Sequence, residues 1–295
     1  MARPSHSFLF DVSREVTVMT KYVVISSNQS RSYSFMAPIC ALTWAARTEF
    51  KPVVLLTQTR EHWKEDAPSR VVVDMLDRLD IRKHYVSVVK DCYLTSTQAQ
   101  TARHYVAALK SFDPGDYILT TDVDGLPVDR EWQSKVDWGK ACHMRNANAW
   151  QYRWYTTFGF GAYVSAWREF MKYEPCGEIA PVMEKDFDLD LTCEADSLLS
   201  WYYDEFCWNA KLKASKFYPG ECQFIERNTC QDRIDRSRWP ERFDNLTGII
   251  DAHVLRPSYD ATNWPKIRAL LVALLSEQQV EVVDQYHKRF AEAVA

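Results

Sequence analysis

The sequence lacks the motifs and the charge that mark several common protein classes. No Gly-x-Gly-x-x-Gly follows the first predicted strand and no Gly-x-x-x-x-Gly-Lys-Ser/Thr occurs anywhere, which disfavours a dinucleotide-binding fold and a P-loop ATPase. The net charge of -4 and the isoelectric point near 6.0 indicate no basic surface for nucleic acid. The longest apolar run, residues 269–275, is too short to cross a membrane.

Targeting and redox signals are also missing. Residues 1–18 carry charged and polar side chains instead of the apolar core of a signal peptide, so we expect a cytoplasmic protein without a membrane anchor. None of the eight cysteines forms a Cys-x-x-Cys pair, and in that compartment we expect reduced, mostly buried thiols. A chain of 295 residues is long enough to bury a full core as a single domain.

The first half of the chain alternates between predicted strands and helices. Apolar runs predict strands at residues 22–26, 52–57, 85–89 and 117–121. Helical spacing of apolar residues between them predicts helices at about 33–48, 69–79 and 95–111. This alternation favours an α/β fold with a mostly parallel, Rossmann-like sheet flanked by helices. Amphipathic segments beyond about residue 263 predict a C-terminal extension of two helices.

The fourth predicted strand ends in two acidic residues, Asp122 and Asp124. Residues two apart on an extended chain point the same way, so both carboxylates would aim at one point beyond the strand. A lone Asp-x-Asp on a surface loop is usually a solvated turn. Here it follows a hydrophobic strand of an α/β pattern, and ligands bind outside the carboxyl ends of such strands. Because paired carboxylates repel unless a proton or cation separates them, the pair predicts a site for Mg²⁺ or Mn²⁺.

Three other segments supply candidate site residues. The first strand ends in Ser26, Ser27 and Asn28, which would share a rim with the Asp122 loop, where we expect a nucleotide to lie. Asp196 lies in the first turn of a helix predicted to start at residue 194, where acidic residues usually offset the helix dipole. It would reach a substrate hydroxyl if that helix start faces the cleft. A late strand at residues 249–257 carries His253, and such single histidines are more often structural than ligands.

Taken in this order, the elements resemble the GT-A family of nucleotide-sugar glycosyltransferases over about residues 20–265. The resemblance is carried by the strand ending in Ser26 to Asn28, the helix bearing Arg103, the motif Asp122-Val123-Asp124, the glycine-aromatic segment 159–162, the acidic helix start and His253. It implies one GT-A domain over residues 1–295. The nucleotide-binding half would cover about 20–127, the acceptor-binding half about 128–262 and the C-terminal helices about 263–295.

The resemblance also implies a metal and a base. Asp124 would bind Mn²⁺ or Mg²⁺ directly, Asp122 would touch the metal or the ribose, and His253 would complete the metal shell. Asp196 is similar to the acid that serves as general base in inverting members, whereas retaining members place a similar residue near the donor sugar. The implied enzyme is a hexosyl- or pentosyltransferase that is similar to the small soluble enzymes of bacteria and large viruses.

The remaining implied roles concern the donor. Ser26, Ser27 and Asn28 would line the base and ribose of a nucleotide sugar, with a UDP-sugar expected. Arg103 is similar to the helix arginine or lysine that steadies the donor, and Arg256 would meet its diphosphate. The acceptor would be a glycan or another hydroxyl compound, and no nucleic-acid partner is expected.

Two other readings of the same residues stay open. Asp122 and Asp124 also resemble the nucleophile loop of haloacid-dehalogenase-like phosphatases. In that family the loop follows the first strand and continues Gly-Thr, whereas here three α/β units precede it and Leu126 replaces the threonine. The other alternative is a non-catalytic module that binds a nucleotide sugar without transferring it.

Overall fold

The structure, a computed structural model, describes residues 19–87, 95–132, 135–147, 150–151, 154–186, 202–228 and 231–295. The strands in these residues are β1 (Lys21–Ser27), β2 (Lys51–Thr57), β3 (Arg82–Val86), β4 (Tyr117–Thr121), β5 (Gly125–Pro127), β6 (Cys142–Met144), β7 (Trp150–Gln151), β8 (Trp154–Tyr155), β9 (Phe160–Tyr163), β10 (Cys222–Phe224), β11 (Arg233–Ile234) and β12 (Asp251–His253). The helices are α1 (Arg31–Ser34), α2 (Met36–Arg47), α3 (Arg60–Glu65), α4 (Ala67–Arg78), α5 (Thr95–Ala102), α6 (Val164–Met171), α7 (Ala180–Asp186), α8 (Tyr203–Lys213), α9 (Trp264–Leu274) and α10 (Glu277–Val294). Short 3-10 helices cover Arg103–Ala108 and Arg236–Arg238.

One mixed sheet organises these elements. Its seven strands run in the order β10-β6-β9-β4-β1-β2-β3. Strands β4, β1, β2 and β3 run parallel to one another, whereas β9 is antiparallel to both β4 and β6. The predicted mostly parallel α/β sheet, with flanking helices and a C-terminal helical extension, is confirmed.

A smaller sheet with the order β11-β12-β5 lies beside the end of β4. Its strand β12 is antiparallel to β5, and the register places His253 opposite Gly125. This pairing joins β5, which directly follows the turn after β4, to β12, which lies more than a hundred residues later in the sequence. It therefore decides which late residues reach the carboxyl end of the main sheet.

The central strands are buried on both faces, which explains their near-continuous apolar sequences. Val23 and Ile25 of β1 belong to a core shared with α2, α4, α9 and α10. Val24, between them, belongs to a second core shared with the 3-10 helix Arg103–Ala108, α6 and α8. Because side chains alternate along a strand, one short segment supports both helical layers.

The C-terminal helices close the first of these cores. Helix α10 begins with a capping box formed by Ser276 and Gln279. Its Tyr286 ring stacks on Phe35 with ring centroids 5.2 Å apart, and the Tyr286 hydroxyl donates to the Phe35 carbonyl at 3.0 Å. Phe290 is fully buried against the same aromatic ring. The described ranges contain no helix with both the length and the apolar character needed to span a membrane.

Several predicted boundaries differ from the observed ones. The helix predicted at 95–111 changes type, since α5 ends at Ala102 and a tighter 3-10 turn carries Arg103 into the interior. The late strand predicted at 249–257 is only three residues long, which leaves Arg256 in the following loop. The described part of the predicted acidic helix begins at Tyr203. Asp196 lies outside the described residues.

Candidate functional site

A cavity of about 540 Å³ lies at the carboxyl ends of β1 and β4. Every described residue that the sequence predicted for the site lines it: Ser26, Ser27, Asn28, Arg103, Asp122, Asp124, His253 and Arg256. Among the lining residues that the sequence did not predict are Tyr33 and four charged residues, Asp204, Glu205, Arg233 and Arg236. The fold brings these predicted residues to one cavity, and the guanidinium groups in its lining differ from the expectation of an acidic metal site.

The turn after β4 brings the two predicted acids and the histidine together. The N–H of Gly125 donates to the carbonyl of Asp122 at 3.1 Å, so β5 starts directly after Asp124. A Cβ atom at position 125 would lie only 2.9 Å from a ring carbon of Phe158, which explains the glycine. Because β12 pairs with β5, the Nε2 atom of His253 comes to 3.5 Å from a carboxyl oxygen of Asp124.

Arg103 lies at the base of the cavity and binds two carboxylates. Its guanidinium donates to Asp122 at 2.7 Å and to Asp204 at 2.9 Å. It also donates to the Thr157 hydroxyl at 2.6 Å and to the Thr121 carbonyl at 3.1 Å. Only 6% of Arg103 is exposed. The residue therefore joins the end of β4, the turn between β8 and β9 and the start of α8.

Burial and pairing oppose each other in the pKa values of this network. Burial alone lowers the pKa of Arg103. The nearby carboxylates of Asp122 and Asp204 raise it by more than burial lowers it, so the net pKa lies above its ordinary value. Burial likewise raises the pKa of Asp204, and its contacts with His104 and Arg103 outweigh that effect and lower it. Both groups are thus held in their charged forms.

Two more arginines converge on Asp124, whose side chain is almost fully buried. Arg236 donates from Nη2 to the Oδ2 atom of Asp124 at 2.9 Å, and the same nitrogen contacts Nε2 of His253. Arg256 donates to that oxygen from Nε at 2.8 Å and also from Nη2. The Arg256 guanidinium lies over the ring of Tyr33, 4.2 Å from its centroid, and donates to the Tyr33 hydroxyl.

This arrangement does not fit the predicted divalent ion. Asp122, Asp124 and His253 share the cavity, but within the described ranges no three or more His, Cys, Asp or Glu side chains are grouped to hold a metal. The physical reason is that Oδ2 of Asp124 already accepts N–H groups from two guanidiniums, and Asp122 is engaged by Arg103. A cation at this point would also meet the positive charge of Arg236 and Arg256.

Glu205 has the most unusual environment of the described carboxyl groups in the cavity. Its Oε2 atom is buried and has no hydrogen-bond partner within the described part of the chain. Burial, followed by the negative charge of Asp204, raises its pKa from an ordinary 4.5 to about 8. At pH 7 the side chain is therefore mostly neutral. Buried carboxyl groups with such pKa values are candidates for proton transfer.

Among the described residues, the lining carries four guanidinium groups, those of Arg103, Arg233, Arg236 and Arg256. Four carboxyl groups oppose them, those of Asp122, Asp124, Asp204 and Glu205. With Glu205 neutral near pH 7, the described part of this lining has a net positive charge. The Oγ atom of Ser26 is buried at the end of β1 without a hydrogen-bond partner among the described residues. A polar, negatively charged ligand would satisfy both features.

Local signals in the sequence did not mark the additional residues. Asp204 and Glu205 open α8, where acidic residues are expected for the helix dipole alone. Arg236 lies in a single 3-10 turn with no periodic pattern. Only the fold brings them to the cavity.

No protein-family model and no curated protein matches the chain. Solved structures do match it in shape. The galactosyltransferase LgtC in complex with donor and acceptor sugar analogues aligns with a TM-score of 0.43 and 13% identity, covering 88% of this chain and 99% of that chain. An active-site mutant of LgtC aligns with a TM-score of 0.46 and 13% identity, covering 87% and 98%. A likeness this distant does not indicate an activity.

Proposed function

We propose that the protein is a glycosyltransferase that moves a sugar from a nucleoside-diphosphate donor to a hydroxyl group of a glycan or another acceptor. The observation that carries this proposal is the convergence of polar strand-end residues and guanidinium groups in one cavity. A volume of about 540 Å³ lies within the range of small-molecule sites. Guanidinium groups suit a diphosphate because their N–H groups match its oxygens in pairs.

The donor would lie along the ends of β1 and β4. Ser26, Ser27 and Asn28 would contact the base and the ribose, and a UDP-sugar is the expected donor. The diphosphate would lie toward Arg236 and Arg256, on the side of β12. This placement leaves the sugar near the start of α8, where Glu205 lines the cavity.

The chemistry follows from charge. The bond between the sugar's anomeric carbon and the diphosphate oxygen breaks, its electron pair stays on that oxygen, and the acceptor oxygen forms the new bond to the anomeric carbon. Preorganised guanidinium groups stabilise the charge that develops on the diphosphate. The acceptor hydroxyl must lose its proton, and a carboxylate within hydrogen-bond reach is the group that takes it.

Two residues are candidates for this base. Asp196 is the sequence-based candidate, with an inverting reaction, and it lies outside the described residues. Glu205 is the candidate among the described residues. Its unpartnered buried oxygen favours it, since the other described carboxylates of the cavity each accept from an arginine. If Glu205 is the base, the rate rises with pH through its pKa of about 8.

A screen of nucleotide sugars tests the proposal. Slow hydrolysis of one donor, with release of the nucleoside diphosphate, is expected and would also distinguish hexosyl from pentosyl transfer. Release of phosphate from a generic phosphomonoester would instead favour the phosphatase alternative. Binding of a donor without turnover on any acceptor would favour a binding module. Glu205→Gln and Asp196→Asn, compared at equal donor occupancy, decide which residue acts as the base.

A further inference from the structure

We infer that the guanidinium groups of Arg236 and Arg256 bind the donor's diphosphate directly, without a divalent ion. The inference rests on the proposed function and specifies how this chain neutralises the departing group. It departs from the metal dependence that the sequence resemblance implies. Three features of the described residues support it: the contacts of Asp124, the donors left on the two arginines, and the elements that hold them.

The contacts of Asp124 are the first feature. Its Oδ2 atom accepts from Nη2 of Arg236 and from both Nε and Nη2 of Arg256. A carboxylate has about four lone-pair positions on its two oxygens, so three donors saturate Oδ2 and would leave a metal only the Oδ1 atom of Asp124. The nitrogen of Arg236 that binds Asp124 also contacts Nε2 of His253, the atom that would have to face the ion.

The donors left on the arginines are the second feature. The Nε atom of Arg236 is buried and has no acceptor in the described ranges of the chain. Arg256 directs three N–H groups to Asp124 and Tyr33, and a guanidinium has five in all. Buried donors without acceptors are uncommon in folded proteins, and a bound anion satisfies them. Two guanidiniums side by side offer a diphosphate paired hydrogen bonds as well as charge.

The third feature is how the two arginines are held. Arg236 lies on the 3-10 turn that follows β11, and Arg256 lies in the loop that follows β12. Both strands belong to the small sheet that is anchored by β5, next to Asp124. The Tyr33 ring supports the Arg256 guanidinium from below. In this arrangement Asp124 is a positioning residue that aligns two cations.

Calorimetric titration of the full chain with UDP, in EDTA and separately in Mn²⁺, tests the inference. The other common nucleoside diphosphates serve as further probes if UDP does not bind. Arg236→Gln and Arg256→Gln each remove charge-assisted hydrogen bonds, so each should weaken binding in EDTA by about tenfold to a hundredfold. Arg238→Gln is the matched control, because Arg238 lies on the same 3-10 turn and is exposed.

The expected result is binding by the wild type in EDTA, within about threefold of the affinity in Mn²⁺. The comparison uses unmodified protein, so it holds even if a variant fails to fold. Binding that requires Mn²⁺ would overturn the inference and leave the proposed function standing. Tighter Mn²⁺-dependent binding by Arg236→Gln would overturn it too, since Arg236 would then merely block a metal site. Binding of no nucleoside diphosphate or nucleotide sugar in either buffer would refute both the inference and the proposed function.

Discussion

Replacing Arg103 with methionine should destabilise the protein far more than the same replacement at Arg268. Both arginines bind an aspartate with good geometry, since Arg268 donates to Asp284 at 2.8 and 2.7 Å. They differ in exposure. Arg103 is 6% exposed and the side chain of its partner Asp204 is 3% exposed, whereas the side chain of Arg268 is 45% exposed. The pair of substitutions therefore compares a buried network around one arginine with an exposed ion pair.

The magnitude follows from what each substitution leaves behind. Removing one partner of a buried ion pair costs about 3–5 kcal/mol, because the remaining charge is neither solvated nor paired. In Arg103→Met the buried Asp204 loses its guanidinium and keeps only Thr157 and His104 as neighbours, and Asp122 loses a partner as well. An exposed pair contributes only about 0.2–1 kcal/mol. Against a typical total of about 5–15 kcal/mol, the first loss threatens folding at moderate temperature and the second does not.

Urea unfolding at pH 7, followed by tryptophan fluorescence, measures both losses. Adding Asp204→Asn to Arg103→Met should restore part of the stability, because the buried charge is removed with its partner. If Arg103→Met loses no more free energy of unfolding than Arg268→Met, the buried network does not hold the site as described. If the double variant is less stable than the single one, the uncompensated charge of Asp204 is not the cause.

Three further predictions concern stability in urea. As pH rises from 6 to 9, the free energy of unfolding of Glu205→Gln should increase by about 1–3 kcal/mol relative to that of wild type. The raised pKa of Glu205 stabilises the folded protein fully below the unfolded-state pKa of 4.5, and this contribution is lost as pH rises through the folded-state pKa of about 8. Gly161→Ala should cost about 1–3 kcal/mol, since its Cβ would lie 2.0 Å from the hydroxyl of the buried Tyr117. Phe290→Ala should cost about 3–5 kcal/mol by leaving a cavity under α10.

Each of these has a control. A relative stability of Glu205→Gln that does not change with pH would show that Glu205 is not protonated at neutral pH. Gly177→Ala has open space for a methyl group and should change stability by less than about 0.5 kcal/mol, so an equal cost at positions 161 and 177 would contradict the steric reason. Val272→Ala removes an exposed side chain from α9, and a loss similar to that of Phe290→Ala would contradict the packing account.

Much of the location of the site was predictable from the sequence because it depends on local patterns. An apolar run that ends in Asp122 and Asp124 indicates a buried strand and a polar strand end. The same is true of β1 and Ser26. In a parallel sheet neighbouring strand ends meet at one edge, so the alternation of strands and helices was sufficient to bring these residues together.

The charge of the site was not predictable, because it depends on pairs far apart in the sequence. Arg236 meets Asp124 across 112 residues, and Arg103 meets Asp204 across 101. Nothing near Arg236 in the sequence indicates that it comes between Asp124 and His253. The pairing of β12 with β5 sets that contact, and strands of three residues give too short a pattern to predict their partners.

The attachment of α10 to the N-terminal half affects when that half can fold during synthesis. The Tyr286 hydroxyl reaches Phe35, 251 residues earlier. At about 5–20 residues per second, a ribosome needs roughly 10–50 s to make the intervening chain. During that interval the apolar face formed by α2 and α4 remains uncovered by its C-terminal helices. A nascent chain of this protein therefore exposes that apolar face until α10 has left the exit tunnel.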